Sequence, residues 1–337
     1  MGALANHVGL AATNLLQSMV AHLGIWFDCR GRKCYLYFHL ALQSAAAYRN
    51  LGKYEGMSDY GVRSMVAPLV RVAVRAPSLR GDYAVAHWEQ PIDGELLLQQ
   101  HRDFVALLRK LGCEVAELAP VDDMPDAIFA YDPAFITPSG VIELRGAKAV
   151  RAGEPPLMTA DLHALGVPVV GKLTGAATAD GGDMYWLDEN TLAMGRSYRT
   201  NAAGIDQLRP MLAADGVGVE VFDLPHDLGP EFCLHLMSVI SAIRQDLVLV
   251  YERLAPVALM QALQQRGIEI LSLPEADYAT LGCNVLAIAP GVVVMTTGND
   301  ATAELLRRRG VEVHLYEASE INKGEGGPTC LTRPIKR

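Results

Sequence analysis

The sequence of 337 residues has no Cys-x-x-Cys pair and no Cys/His cluster at zinc-finger spacing, so a structural zinc module is not expected. It offers no G-x-G-x-x-G between its first strand-like run and the helix that follows. It also has no G-x-x-x-x-G-K-[ST]. Together these absences argue against a doubly wound dinucleotide fold and a P-loop enzyme. Basic residues are in the minority. Lys and Arg number 29 against 38 Asp and Glu, and the resulting charge of −9 is the wrong sign for a protein held to nucleic acid by phosphate contacts. Half the residues are hydrophobic and only 20% are charged, which excludes intrinsic disorder.

The first 27 residues lack Lys, Arg, Asp and Glu altogether. Asn6, His7, Asn14, Gln17, Ser18 and His22 interrupt them, which does not suit a spanning helix of about 20 apolar residues. No basic start marks a secretory signal in Met1 to Leu10. Leu4, Val8, Ala11, Leu15, Met19 and Trp26 could share one side of an amphipathic helix. The preferred reading puts the segment outside the folded domain, with Met57 or Met65 as the functional start. Residues 1–64 are then an N-terminal extension and 65–337 one domain. Residues 1–56 hold five Lys or Arg and two Asp or Glu, a net +3, so −12 falls on the rest.

Six cysteines stand at 29, 34, 113, 233, 283 and 330. Without a secretory signal they read as reduced thiols of a cytoplasmic protein, most of them small core residues, Cys233 and Cys283 in apolar strands.

A pattern recurs five times: a Leu-rich helical run, a glycine, then a short β-branched strand. Its turn glycines are Gly112, Gly166, Gly216, Gly267 and Gly310, spaced by 54, 50, 51 and 43 residues. Glycine just past a helix suits the left-handed C′ position. Further strands are expected at 70–74, 141–144, 183–187, 247–251 and 285–295, the last turning at Pro290-Gly291. Each repeat is thus a ββαβ-like unit of about 50 residues, a period at home in radial or stacked architectures. An α/β propeller of five units is the expected fold class, ahead of an open α/β sheet.

The unusual segments lie between the repeats. Lys323-Gly-Glu-Gly-Gly-Pro-Thr-Cys330 reads as a rigid loop that exposes backbone and a sulfur. Asp180-Gly-Gly-Asp183 could be an acidic turn or a metal loop. Pro125-Asp-Ala-Ile-Phe-Ala-Tyr-Asp-Pro133 places Asp126 and Asp132 around an aromatic, or is simply a loop punctuated by prolines. His235, in Cys233-Leu-His-Leu-Met237, could be a core histidine or a catalyst.

In this order the segments resemble the guanidine-modifying (pentein) enzymes: arginine deiminases, dimethylarginine dimethylaminohydrolases and amidinotransferases. The likeness runs from about Val70 to Pro334 and is closest to the dimethylarginine dimethylaminohydrolases, with RAGE (151–154) and SYRTNAAG (197–204) also in place. It implies a five-bladed α/β propeller, the pentein fold. It implies Cys330 as nucleophile, His235 as acid and base, and Asp180 beside His235. Asp132 and Asp180 would clamp the guanidinium, Asp126 would face an α-amino group, Phe129 would pack over the substrate, and Arg151 and Arg199 would take a carboxylate. Leu79 to Pro91 resembles a mobile lid with Trp88 as its apolar cap.

The expected activity is hydrolysis of a guanidino compound through a covalent thiouronium, foremost Nω,Nω-dimethylarginine to citrulline and dimethylamine. Rivals are an arginine deiminase-like enzyme, an amidinotransferase, and a propeller that only binds a guanidino ligand. No metal or cofactor is expected, nor a nucleic-acid or membrane partner; a homodimer is allowed by the sequence but not deduced from it. The sequence departs from the pattern at Tyr131, where dimethylaminohydrolases carry Glu and arginine deiminases typically Arg.

Overall fold

Five helices of similar design set the frame in the computed structural model, which describes residues 58–337. The first, α1 (Gly94–Lys110), starts where the Asp93 side chain accepts from the Leu96 N–H, and it buries Leu97, Phe104, Val105 and Leu108 along one face. It ends at a glycine with φ of 92°. There Gly112 N–H donates to Arg109 O and Cys113 N–H to Leu108 O, a Schellman pair that satisfies carbonyls the helix itself leaves open. The same two bonds recur at Gly166, Gly216, Gly267 and Gly310, each with positive φ. A Cβ at any of these five glycines would meet nothing within 4 Å, so the left-handed backbone rather than crowding accounts for the residue.

The corresponding helices are α2 (Glu154–Ala164), α3 (Ala202–Ala213), α5 (Val257–Gln265) and α7 (Asp300–Arg308). Two four-residue helices, α4 (Leu236–Val239) and α6 (Glu275–Tyr278), lie between them. Each long helix leads into a strand parallel to the one before it, and each such pair carries an antiparallel neighbour. Five three-stranded sheets result. They are β15 (Thr332–Lys336), β1 (Arg71–Arg75) and β2 (Glu114–Leu118); β3 (Ala134–Thr137), β4 (Gly140–Glu143) and β5 (Val169–Lys172); β6 (Met184–Asp188), β7 (Thr191–Arg196) and β8 (Gly218–Asp223); β9 (Ile240–Arg244), β10 (Leu247–Val250) and β11 (Glu269–Ser272); and β12 (Leu286–Ala289), β13 (Val292–Thr296) and β14 (Glu312–Tyr316). The ββαβ unit expected from the sequence is therefore present in an α/β fold of five small sheets. The first sheet takes its antiparallel strand from the far end of the chain, with Val72 opposite Pro334 and Val74 opposite Thr332.

The central strands are apolar through their middles because both faces are covered there. All four residues of β10 are buried, as are the middle residues of β4, β7 and β13. Strands do not carry the polar chemistry; the loops at their ends do.

The stretch 58–64, which the sequence reading leaves in the extension, packs into this unit. Gly61 N–H donates to Ile335 O and Val62 is buried. The amphipathic reading of residues 4–26, the remainder of the extension, and Cys29 and Cys34 lie outside the described residues. Among the described residues no helix is long and apolar enough to cross a membrane.

Candidate active site

Four loops bring six of the eight sequence candidates to one cavity of ≈ 130 Å³, and Arg151 and Arg199 reach it from two further segments. The first runs ahead of β3. A short 3₁₀ turn over Pro125–Ile128 carries Asp126, followed by Phe129 and Asp132, all buried. Asp132 Oδ1 accepts from the Gly182 N–H at 3.0 Å, and Oδ2 accepts from Arg151 Nη1 at 2.6 Å. Burial opposes a charge here, but His235, Arg151 and the Gly182 N–H outweigh it and hold the Asp132 carboxyl below its ordinary value.

The second loop is Asp180-Gly-Gly-Asp183, at the start of β6. Its glycines have a physical reason beyond a turn: a Cβ on Gly182 would overlap the His235 ring, and one on Gly181 the Tyr131 backbone. Asp180 Oδ2 lies 3.1 Å from His235 Nε2, the geometry of a carboxylate that accepts from an imidazole N–H. Asp183 is wholly buried, accepts from Leu236 N–H at 2.8 Å and from the Ser197 hydroxyl at 2.6 Å, and so anchors the residue after His235. Burial pushes the Asp183 carboxyl up to about 6.

The third loop ends at His235, which caps α4, its own N–H bonded to Ser238 Oγ at 3.0 Å. Burial disfavours a charge on this imidazole. Cys233, Asp132 and Asp180 outweigh that effect, and His235 is held protonated well above the ordinary histidine value. Cys233, expected in an apolar strand, instead sits half-buried in this loop with Sγ 3.4 Å from His235 Nδ1. The loop rather than a strand holds it because β9 begins only at Ile240.

The fourth loop, 323–330, is not the exposed ribbon that its glycines suggest. Gly326, Gly327, Pro328 and Thr329 are buried. A Cβ on Gly326 would overlap Phe129, and one on Gly324 would overlap Trp88, so glycine is needed for close approach to an aromatic pair. Cys330 ends the loop. Its Sγ accepts from Asn284 Nδ2 at 3.0 Å, and the Asn284 Oδ1 accepts from Thr329 N–H at 3.0 Å. Burial, then the neighbouring Asp132 charge, pushes the Cys330 thiol up to about 11, with the Asn284 and Gly327 hydrogen bonds pulling the other way.

The remaining candidates divide. Arg199 is buried and lines the cavity. Its guanidinium has no hydrogen-bond partner among the described residues, and Nε is fully enclosed. Arg151 also lines the cavity, but its Nε and Nη2 grip both oxygens of Glu154, Nη1 takes Asp132, and Nη2 also donates to Phe129 O. Its charge is largely committed to the wall. Asp126 Oδ1 accepts from Trp88 Nε1 and Oδ2 from Lys148 Nζ, both at 2.7 Å. Trp88 is itself buried, stacked on Phe129 at 5.5 Å, so it forms the wall beneath the 79–91 segment while Ala86 and His87 face the cavity. The Tyr131 side chain turns into the core with the Arg333 guanidinium 4.1 Å from its ring centre.

Asn284, Lys148 and Cys233 are cavity-side residues that sequence reasoning did not select for the site. No spacing marks Lys148 or Asn284. Cys233 had a signal, two residues before the histidine. One ligand atom each of Asp132, Asp180 and His235 lies within 4.8 Å of the others, close enough for a cation. The two carboxylates also match the N–H fork of a guanidinium.

A family model described as arginine deiminase matches residues 119–272 and 254–337. The N(G),N(G)-dimethylarginine dimethylaminohydrolase of Streptomyces coelicolor is 31% identical over 267 residues, 79% of this chain and 96% of that one. Among solved structures, the dimethylarginine dimethylaminohydrolase (DDAH) of Pseudomonas aeruginosa, a cysteine-to-serine variant with citrulline, aligns with TM-score 0.65 and 22% identity over 79% of this chain and 98% of that one. The N-terminal domain of ArgZ, an arginine dihydrolase of cyanobacteria with bound product, aligns with TM-score 0.68 and 18% identity over 80% and 98%. At these identities the two structures speak for the fold.

Proposed function

The chain belongs to the arginine deiminase family, and on that premise we propose that it is a cysteine-dependent hydrolase of a guanidino group, its five sheets the blades of an α/β propeller. The foremost reaction is Nω,Nω-dimethylarginine plus water to citrulline plus dimethylamine. One observation carries the reading: a histidine held by a carboxylate and a cysteine held by an amide face one acidic cavity.

The chemistry follows from the charges. A guanidinium between Asp132 and Asp180 brings positive charge beside Cys330, lowers the thiol's pKa, and releases its proton to solvent. The thiolate adds to the central carbon and gives a neutral tetrahedral adduct. His235 is already protonated, and Asp180 occupies its Nε2, so Nδ1 delivers the proton to the leaving nitrogen. The C–N bond breaks, the amine departs, and a thiouronium cation stays on Cys330. His235, now neutral, takes a proton from water as the hydroxyl adds to the same carbon. The C–S bond then breaks, the thiolate leaves, the hydroxyl proton passes by way of solvent to the departing thiolate and restores the thiol, and the ureido product forms. Arg199, with its unpaired guanidinium, takes the substrate carboxylate, and Asp126 faces the amino group through the oxygen lone pairs that Trp88 and Lys148 leave free.

Arginine itself is the second substrate reading. Tyr131 favours it, because its ring is committed to the core and supplies no acid beside Asp132. Incubation with arginine, monomethyl- and dimethylarginine and short guanidino acids separates the readings by the ureido product and the amine released. Absence of ureido product from all of them overturns the hydrolase.

A further inference from the structure

A second cavity adjoins the first at Cys330 and His235. It measures ≈ 390 Å³, three times the polar one, and shares with it Asp132, Phe232, Cys233, His235, Glu325 and Cys330. Beyond those shared residues most of its surface is apolar, from Leu228, Met237, Tyr278, Ala279, Leu281 and Cys283, with Asp227, Ser238, Asn284 and Thr329 as polar groups in the wall. Lys148, Arg151 and Arg199 line the small cavity and not the large one, which takes its positive charge from the shared His235. The amino-acid end of a guanidino substrate therefore has its partners in the small cavity. The distal nitrogen points into the apolar space of the large one.

Dimethylamine, with three heavy atoms, does not need such a space. An apolar cavity of about 150 Å³ already holds a benzene-sized group. The chamber is walled rather than collapsed, because Tyr278 stacks on Tyr251 with ring centres 3.7 Å apart. At its mouth, Leu228 and Phe232 are 66% and 47% exposed, apolar surface that a bound group would cover.

We infer that the apolar chamber behind Cys330 and His235 receives a substituent on the distal guanidine nitrogen, so that the substrate class includes Nω-alkyl and Nω-aralkyl arginines with groups larger than methyl. The inference rests on the proposed hydrolysis site for the orientation of the substrate. The overall reaction balances as before: R–NH–C(NH₂⁺)–NH–R′ plus water gives R–NH₃⁺ and H₂N–CO–NH–R′, with the amine R–NH₂ leaving by way of the chamber.

The test uses binding and turnover separately. In a Cys330→Ser variant, calorimetry compares arginine with its Nω-methyl, Nω-butyl and Nω-benzyl derivatives. Burial of each added methylene gives roughly fourfold in affinity, about 0.8 kcal/mol. Nω-butylarginine is expected to bind at least tenfold tighter than the methyl compound. Ala279→Trp, at an exposed position on the chamber wall, should cut that ratio to about twofold; Leu228→Trp, at the mouth, gives a second reading should Ala279→Trp fold poorly. Butyl and benzyl compounds that bind no better than methyl would overturn the inference. Ureido assays on the unmutated protein test the hydrolase reading by itself. Selective tight binding without any product sinks the hydrolase and keeps the chamber, while turnover of methyl compounds alone does the reverse.

Discussion

His235 and Asp180 lie 55 residues apart in the chain and 3.1 Å apart in space, Nε2 to Oδ2, both buried. The pair leaves Nε2 against the carboxylate and Nδ1 3.4 Å from Cys233 Sγ, and the proposed mechanism gives the proton transfer to Nδ1.

Asp180→Asn removes the charge that holds the ring and its proton. The expected result is a fall in kcat of about 10²- to 10⁴-fold. The His235 pKa should fall toward the ordinary histidine value, which an NMR titration of the ring reads directly. An unchanged His235 titration would show that Asp180 does not act through it.

The Cys330 thiol is pushed up to about 11 in the free protein. Alkylation by iodoacetamide should therefore rise about tenfold per pH unit from 7 to 10 without levelling, because the reactive thiolate fraction is still growing. Asn284→Ala removes the amide that donates to the sulfur and should slow alkylation further at every pH. A plateau below pH 9 would mean a thiol already activated without substrate.

Arg199 and Arg151 should separate cleanly. Arg199 has no side-chain partner to lose among the described residues, so Arg199→Ala should leave the melting temperature near that of the parent and raise KM about 10- to 100-fold. Arg151→Ala strips a buried network and leaves Glu154 and Asp132 without their cation, a destabilisation of about 3–5 kcal/mol. Chemical denaturation alongside KM distinguishes the two. Equal destabilisation would contradict the assignment of Arg151 to the wall.

Asp183 supplies a pH signature in stability. Burial raises its carboxyl from 3.8 to about 6, so the native state binds this proton more tightly than the unfolded chain does. The stability it contributes is complete below pH 3.8 and is lost as pH rises through 6, about 3 kcal/mol in total. Asp183→Asn keeps an acceptor for the Leu236 N–H and should flatten that segment of the profile. Urea midpoints for both proteins from pH 4 to 7 check it; parallel curves would remove Asp183 from the account.

Much of the frame could be read from the residues because backbone rules are local. The five glycines that cap α1, α2, α3, α5 and α7 mark positive φ wherever they occur, and the alternation of helix and β-branched strand follows each. The Asp180 and Cys330 loops were visible for the same reason, glycine beside chemistry-bearing side chains. Their meaning was not. The glycines of the last loop read as exposure, but they permit contact with Trp88 and Phe129, which only the tertiary fold brings there. Asn284 and Lys148 stayed silent because an amide or a lone lysine gains a role only from what it faces: a sulfur 46 residues away in one case, Asp126 in the other. Arg151 lines the cavity, yet Glu154, three residues on, competes for the charge that a substrate would need.

The central claim is a covalent bond between a guanidino carbon and Cys330. Dimethylarginine or arginine labelled at that carbon, mixed with the protein and quenched in acid during turnover, tests it most directly. The account predicts label on the peptide that contains Cys330, its loss as ureido product accumulates, and none in Cys330→Ser. Ureido product formed with no labelled peptide, or a label that persists in Cys330→Ser, would contradict it.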